Sequence, residues 1–433
     1  MTTANEKPKP RFLIQTLGCK VNQYDSERIR SQLVRRGCVS VGEAEGETPN
    51  LIIVNTCSVT SESDRKGRQL IRKMIRAYPQ ARVAVTGCYS ERKPEDILGI
   101  EGVREVVAIE DQEAWIERLA EELGWGCEDQ DGLWSGGIDV FEEHTRAFVK
   151  IQDGCDLKCT FCSIPDSRGR ARSRLIPEIL SESQELARRG YPEIVLCGVC
   201  IGHYGRGQNF GLIELLKGMA NLKGIKRIRI SSLEPQDITE DLLGTMAQHN
   251  VVCPHLHLPL QSGSNRILRR MKRPYVYELF KEKIVFARKI MPGFEVSTDI
   301  MTGFPGESEE DFECSLQAVR EIRFSKVHSF RFSVRENTPA ARMREFLPPT
   351  VVEERRRRLD EAAKEAADEA KQAYVGRSLP VLAESFREGK GSGFTPNYLR
   401  ADFTASRTVA RGEIVDVRLT RLKNGRLQGT AVD

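Results

Sequence analysis

The chain has 433 residues, 39% of them hydrophobic and 30% charged, with a formal net charge of +4 at pH 7. That length implies two or three domains, the hydrophobic content is enough for real cores, ordinary Gly and Pro give no sign of wholesale disorder, and the mild positive charge is compatible with a nucleic-acid partner without requiring one. The opening MTTANEKPKP lacks the apolar stretch of a secretory signal and no long apolar run follows, so a cytoplasmic protein with no membrane partner is expected, whose 12 cysteines serve as metal ligands, catalytic thiols or core residues rather than disulfides.

Residues 11–121 alternate strand and helix signals. Three short apolar runs, RFLIQTLGC (11–19), LIIVNTC (51–57) and ARVAVTGC (81–88), each end in a cysteine. Helical stretches, SERIRSQLVRRGC and SDRKGRQLIRKMIRAYP, lie between them. Strands alternating with helices predict a parallel sheet, whose strand carboxyl ends share one ligand-binding edge. Cys19, Cys57 and Cys88 should therefore converge. A lone buried thiol is usually a packing residue, but three at three strand ends point to a site. Residues 122–143, Gly-rich and acidic, read as a linker, with Cys127 incidental.

From 146 to 345, strand and helix signals repeat: FVKIQDGC, EIVLCGV, IKRIRISSLEP, HLHLPLQSG, FEVSTDIMTGFPG and KVHSFRFSV as strands, with amphipathic helices between. This predicts a full or partial (β/α) barrel with its site at the strand carboxyl ends. A charged helix, 351–376, follows. The final stretch shows short strand signals and an Asn-Gly hairpin turn at 424–425. Those residues fit a small barrel of the OB type, either a nucleic-acid binder or a packing or dimerisation module.

The chemistry concentrates in IQDGCDLKCTFCSIPDSRGRARSR (151–174), where Cys155, Cys159 and Cys162 form C-x3-C-x2-C. A structural zinc takes four closed ligands. Three thiolates without a fourth leave one iron of a four-iron cluster open to a small molecule, such as the amino and carboxylate groups of S-adenosylmethionine (SAM). Phe161, between the last two cysteines, is placed to pack beside an adenine.

These motifs resemble the radical-SAM methylthiotransferase family. The resemblance spans about residue 11 to 433 and rests also on TLGCKVNQYDSE (16–27), NTCSVT (55–60), TGCYSE (86–91), IPDSRGRARSR (164–174), LPLQSGSNRILRRMKRPY (258–275) and TDIMTGFPGES (298–308). It implies an N-terminal methylthiotransferase domain with an auxiliary cluster (10–121), the linker (122–143), a radical-SAM barrel (144–373) and a C-terminal TRAM domain that binds RNA (374–433). It implies two 4Fe-4S clusters, one held by Cys19, Cys57 and Cys88 for sulfur delivery and one by Cys155, Cys159 and Cys162. SAM then has two roles: methyl donor to sulfur, and source of a 5′-deoxyadenosyl radical that takes hydrogen from an unactivated carbon. The TLGCKVNQYDSE form resembles the branch that methylthiolates C2 of N6-threonylcarbamoyladenosine (t6A) at position 37 in the tRNA anticodon loop. Sister branches act on isopentenyl-adenosine in tRNA or on a ribosomal-protein aspartate. An electron donor and a sulfur source of unknown identity are implied as partners. Two positions depart from the family pattern: Cys200 where Asn is usual, and Asn337 where Gly is usual. A reading from another class is a non-enzymatic iron–sulfur module that binds RNA and senses redox state, although such a sensor needs no long (β/α) scaffold.

Other candidates are carried more lightly. Gly198, Glu234 and Gln261 sit at predicted strand ends as SAM-binding positions, against a plain turn role. Arg168, Arg170, Arg172 and Arg174 alternate, so an extended segment would put them on one face toward phosphates or the SAM carboxylate, or toward solvent. Arg331 and Arg335 are candidates for the threonyl carboxylate of t6A. Arg400, Arg407, Arg411, Arg418, Arg421, Lys423 and Arg426 are candidates for RNA phosphates. Cys38, Cys197, Cys253 and Cys314 read as core thiols.

Overall fold

The computed structural model describes residues 9–43, 48–123, 125, 138, 141 and 144–432. Cys127 and most of the expected 122–143 linker lie outside the described residues. The chain forms a mixed α/β fold of two compact units, Met1–Glu142 with Ser163–Arg170, and Glu143–Cys162 with Ala171–Asp433.

The first unit is built on a five-stranded parallel sheet in the order β2-β1-β3-β4-β5. Its strands are β1 (Arg11–Thr16), β2 (Val39–Ser40), β3 (Leu51–Thr56), β4 (Arg82–Gly87) and β5 (Glu105–Val106). Its helices are α1 (Lys20–Arg35), α2 (Ser61–Ala77), α3 (Cys88–Arg92), α4 (Pro94–Leu98), α5 (Gln112–Leu123) and α6 (Ile164–Arg168). Strand residues alternate faces. Phe12, Ile14, Leu51 and Ile53 pack with Ile29 and Leu33 of α1 and Trp115 of α5. Leu13, Ile52, Val54, Val83 and Val85 pack with Ile71 and Met74 of α2. A sheet covered on both faces needs strands apolar throughout, and all six residues of β3 are buried. The structure starts α1 at Lys20, six residues earlier than its sequence pattern suggests.

The second unit carries six parallel strands in two sheets. One, in the order β10-β9-β6, comprises β6 (Arg146–Lys150), β9 (Glu193–Cys197) and β10 (Arg227–Ile230). A short ladder, β7 (Gln152–Asp153) with β8 (Arg172–Ser173), lies between β6 and β9 in the chain. The other sheet comprises β11 (His255–His257), β12 (Glu295–Thr302) and β13 (Lys326–Arg331). Parallel bridges Ile228 to Val252 and Ser232 to His257 join the two. The connecting helices are α7 (Ile176–Arg188), α8 (Leu212–Ala220), α9 (Glu240–Gln248), α10 (Asn265–Arg270), α11 (Tyr277–Ile290) and α12 (Glu309–Ile322), followed by the long α13 (Pro349–Gln372). No described helix is long and apolar enough to cross a membrane.

The chain ends in a closed five-stranded barrel: β14 (Ser378–Arg387), β15 (Lys390–Phe394), β16 (Arg400–Thr404), β17 (Ile414–Lys423) and β18 (Arg426–Ala431). Val381, Phe403, Val417 and Leu427 fill it. The β17–β18 turn has φ of +52° at Asn424 and +72° at Gly425, the left-handed pair that makes Asn-Gly a hairpin signal. This barrel is seated on the parallel strands by buried arginines. Arg227 donates to the carbonyls of Phe394 and Pro380 at 2.9 and 2.8 Å, and Arg229 to that of Pro396 at 2.9 Å. Glu193 pairs with Arg229 at 2.7 Å and carries the counter-charge. The remaining guanidinium donors are satisfied only while the barrel is docked.

Glu295, 5% exposed at the start of β12, accepts a hydrogen bond from the Tyr374 hydroxyl at 2.8 Å on Oε1. Its Oε2 has no hydrogen-bond partner among the described residues. Burial pushes its carboxyl up to about 7. The native state thus holds a proton that the unfolded chain gives up near pH ~4.3, so this contribution to stability is intact below that pH and is lost as pH rises through 7. Glu295→Gln should therefore stabilise relative to wild type at pH 8, by up to about 3 kcal/mol, and the gain should vanish near pH 4.5. Urea unfolding of both proteins at the two pH values measures it; a gain equal at both would contradict the assignment.

Candidate active site

In the first unit, β1, β3 and β4 are adjacent and parallel, so their carboxyl ends share one edge. Cys19 caps the N-terminus of α1, Cys57 follows β3 directly, and Cys88 opens α3 directly after β4. Cys19 and Cys88 gather around Asn22, and Cys57 lies against Gly18 beside them. Asn22 Oδ1 lies 3.9 Å from Cys19 Sγ and 3.8 Å from Cys88 Sγ. Its amide nitrogen is tied to the Leu17 and Thr56 carbonyls, both at 2.9 Å. Two glycines make the approach possible. A Cβ at Gly18 (φ +120°) would stand 2.9 Å from Cys57 Cβ, and one at Gly87 (φ +98°) would stand 2.3 Å from Asn55 Oδ1. Both conformations are closed to ordinary side chains.

Arg168 completes this site. Its Nε donates to Cys88 Sγ at 3.2 Å, and its Nη2 to Asn22 Oδ1 at 2.6 Å and Asp25 Oδ2 at 3.0 Å. The Arg168 and Asp25 side chains are each 1% exposed. Burial pushes the Cys88 thiol up to about 11 against the pull of Arg168, and burial likewise raises Cys57. Thiolates here need a cation to hold them, which is the situation of a metal site. The alternating arginines do not share one face. Arg168 ends a short helix with Pro165 in its first turn, and it is buried in the first unit. Arg174, in the second unit, pairs with Glu182 at 2.6 Å. Arg170 and Arg172 are exposed.

In the second unit the loop after β7 carries Cys155, Cys159 and Cys162. Thr160 anchors it, its amide donating to the Met271 carbonyl and its hydroxyl to that of Arg270, both at 3.0 Å. Arg273, 8% exposed, donates through Nη1 to Cys159 Sγ at 3.2 Å and through Nε to the Tyr275 hydroxyl at 3.0 Å. Its Nη2 pairs with Glu234. A hydrogen bond from the Cys200 thiol lowers the Cys155 thiol, against burial and with the Leu157 amide helping. Burial raises Cys159, with Arg273 opposing.

Of the expected SAM-binding positions, Glu234 is thus ion-paired beside the triad. Gln261 is a non-glycine residue at φ +64° whose buried Oε1 has no hydrogen-bond partner among the described residues, the kind of strain and polarity that collect at functional sites. Gly198 follows β9 so close to Gln152 that a Cβ would stand 3.0 Å from its carbonyl oxygen. Phe161 packs edge-on to Phe304, centroids 6.5 Å apart. Arg335 is buried, whereas Arg331 reaches Glu353 on the surface at 3.4 Å. Asn337 has φ +70°, the region where Gly is usual and Asn tolerated. Cys38, Cys197 and Cys253 are buried as expected; Cys314 is exposed and is no core thiol.

The donor sets fit iron–sulfur clusters better than single ions. Zn–S bonds of about 2.3 Å would draw three sulfurs to about 3.8 Å of one another. Among the described residues the one His, Cys, Asp or Glu trio with all donors within 4.8 Å is Cys200, His203 and Asp237, not either cysteine triad. Wider sets of soft thiols with hydrogen-bond donors to sulfur suit a cluster.

Residues 11–108 match the uncharacterized protein family UPF0004, and residues 149–319 match the radical SAM superfamily. The chain is 37% identical over 421 residues to the threonylcarbamoyladenosine tRNA methylthiotransferase MtaB of Bacillus subtilis (strain 168), covering 94% of this chain and 93% of that protein. It is 34% identical over 441 residues to the tRNA-2-methylthio-N(6)-dimethylallyladenosine synthase of Aquifex aeolicus (strain VF5), covering 98% and 99%. The solved structure of the radical SAM methyltransferase TsrM from Kitasatospora setae, with cobalamin and a 4Fe-4S cluster bound, shares the fold with a TM-score of 0.56 at 14% identity over 77% of each chain. The second unit therefore carries a radical-SAM domain, a class that uses a 4Fe-4S cluster and SAM. The chain belongs to the radical-SAM tRNA methylthiotransferase family.

Proposed function

We propose that this enzyme methylthiolates C2 of N6-threonylcarbamoyladenosine at position 37 of tRNA. The observation that carries this reading is the near-full-length match to the Bacillus subtilis enzyme named for that nucleoside. Two cysteine triads, each attended by one buried arginine, support it. Cys155, Cys159 and Cys162 would hold the SAM-binding cluster and Cys19, Cys57 and Cys88 the auxiliary one. When bound, the first cluster and SAM supply a hydrogen-abstracting radical, the reagent an unactivated C–H bond requires. Arg273 and Arg168 fix one sulfur in each triad. Glu234 orients Arg273, and Asn22 and Asp25 orient Arg168. The unpaired Gln261 carbonyl offers a hydrogen-bond acceptor at the strand ends. Buried Arg335 is the better candidate for the threonyl carboxylate, Arg331 being engaged at the surface. The domain layout follows: 10–121 delivers sulfur, 122–143 links, 144–373 cleaves SAM, and 374–433 grips RNA. The Aquifex aeolicus relative favours one second reading, with isopentenyl-adenosine as the acceptor.

Expression in a bacterium deprived of its own t6A methylthiotransferase should restore 2-methylthio-t6A in hydrolysed tRNA. Persistence of unmodified t6A alone, with the enzyme present and loaded with iron, would overturn the proposal.

The RNA grip has its own test. Arg400, Arg411, Arg418 and Lys423 are exposed on the closed barrel, whereas Arg407 and Arg426 are tied to Glu413 and Asp402. Replacing the four exposed cations by Gln should weaken tRNA binding and reduce the slope of log affinity against log salt by about three. An unchanged slope would remove this barrel from the RNA interface. Substitution is preferable to deletion, because deletion would strip Arg227 and Arg229 of the barrel carbonyls they bond.

A further inference from the structure

Outside both cysteine triads, the second unit holds a third set of donors. β9 and β10 are neighbouring parallel strands, paired Leu196 to Ile230 at their carboxyl ends. A 3₁₀ turn follows each: Ile201–His203 after β9, capped by Cys200, and Pro235–Asp237 after β10. In a 3₁₀ turn, residues three apart eclipse, so Cys200 and His203 stack on one side. Asp237 meets them from the second turn, and His203 Nε2 lies 3.9 Å from Asp237 Oδ2. The backbone of the first turn comes so close that a Cβ at Gly202 would stand 2.1 Å from that oxygen. All three donors lie within 4.8 Å of one another. Cys200 is 3% and His203 2% exposed, yet neither ring nitrogen of His203 has a hydrogen-bond partner among the described residues. A buried imidazole with both nitrogens unsatisfied is costly in a packed core, and a bound ion supplies a partner for one of them.

We propose that Cys200, His203 and Asp237 form a site for one divalent transition-metal ion of the zinc class, separate from both clusters. One sulfur, one imidazole nitrogen and one carboxylate oxygen suit a borderline ion, and three protein ligands leave a fourth position for water or a substrate carboxylate, as in open zinc sites. A tetrahedral ion needs nitrogen and oxygen donors about 3.4 Å apart, so the pair at 3.9 Å closes by a side-chain adjustment. Binding exchanges the Cys200 thiol proton for the metal, and the proton goes to solvent. The thiol otherwise bonds Cys155, and metal binding at Cys200 gives up that hydrogen bond. This proposal does not depend on which nucleoside is the acceptor.

The test uses the full chain, anaerobically reconstituted so that both triads carry iron, then dialysed against Zn²⁺ in a competing chelator. About one zinc per chain should remain. His203→Ala and Asp237→Asn should each weaken retention more than about tenfold while the iron content stays unchanged. Zinc-edge X-ray absorption of the wild-type protein should show one sulfur, with nitrogen and oxygen as the remaining neighbours, and this reading holds even if a variant fails to fold. No retained zinc, retention unaffected by both variants, or a shell of three sulfurs would each overturn the proposal, the last by placing the ion on a cysteine triad.

Discussion

Replacing Cys155, Cys159 and Cys162 with Ala should remove about half of roughly eight irons per chain and abolish reductive cleavage of SAM. Replacing Cys19, Cys57 and Cys88 should remove the other half, leave SAM cleavage largely intact, and abolish the methylthio product. The asymmetry follows from where the thiols sit. The first set lies on one loop of the second unit, beside Arg273 and Glu234. The second gathers at strand ends of the first unit, beside Arg168 and Asn22. Each has its own arginine and its own anchoring carbonyls, so each should load independently. Iron analysis and chromatography for 5′-deoxyadenosine measure both variants. If the Cys19, Cys57 and Cys88 variant also fails to cleave SAM while its remaining iron is intact, the division of labour is wrong.

Arg168→Met should destabilise the first unit by about 3–5 kcal/mol, because it leaves the Asp25 carboxylate buried without its partner. The larger consequence is electronic. The guanidinium donates to Cys88 Sγ at 3.2 Å, and a positive donor at a ligand sulfur favours the cluster's reduced state. Its loss should shift the midpoint potential of that cluster downward and leave the other unchanged. Arg273→Met should do the converse at Cys159, where Glu234 is the carboxylate stranded. Arg168→Lys keeps the charge and loses the planar fork that reaches Cys88, Asn22 and Asp25 together, so it should recover only part of the effect. Potentiometric titration followed by electron paramagnetic resonance distinguishes the two clusters. Potentials unmoved in properly folded Arg168→Met would make the arginine a purely structural residue.

The alternation of apolar runs and helices was enough to place Cys19, Cys57 and Cys88 on one sheet edge, because short unbroken apolar runs separated by helical stretches mark a parallel sheet buried on both faces. The start of α1 was not legible. KVNQYDSE looks like a polar loop, since Asn22, Asp25, Ser26 and Glu27 are buried on the site side of the helix and erase the usual apolar stripe. Asn22 and Asp25 meet Arg168, which lies 143 residues from Asp25 in sequence, while Ser26 is held by Thr16 and Asn55 and Glu27 by Arg30. Arg168 itself was misread as one of an alternating row. The short helix with Pro165 in its first turn, and the passage of Ser163–Arg170 into the first unit, break that row, and no local pattern announces either. Arg273 was hidden in RRMKRPY, which reads as a basic surface run until the fold places one of its four cations against a cysteine. Cys200 and Asn337 stood out as departures, but only the backbone shows that Asn337 occupies a left-handed position and that Cys200 lies beside Cys155. Likewise Arg227 and Arg229, in the strand IKRIRI, give no sign that the C-terminal barrel is what satisfies them.

The acceptor nucleoside separates the t6A reading from the isopentenyl-adenosine one. The reconstituted enzyme should be incubated anaerobically with SAM, a reductant and a sulfide source, together with one of two tRNAs that differ only in carrying t6A or isopentenyl-adenosine at position 37. Digestion and mass spectrometry of the nucleosides then read the outcome. The account predicts 2-methylthio-t6A from the first tRNA and, from the second, no product in the same time; product from the isopentenyl tRNA alone would contradict it.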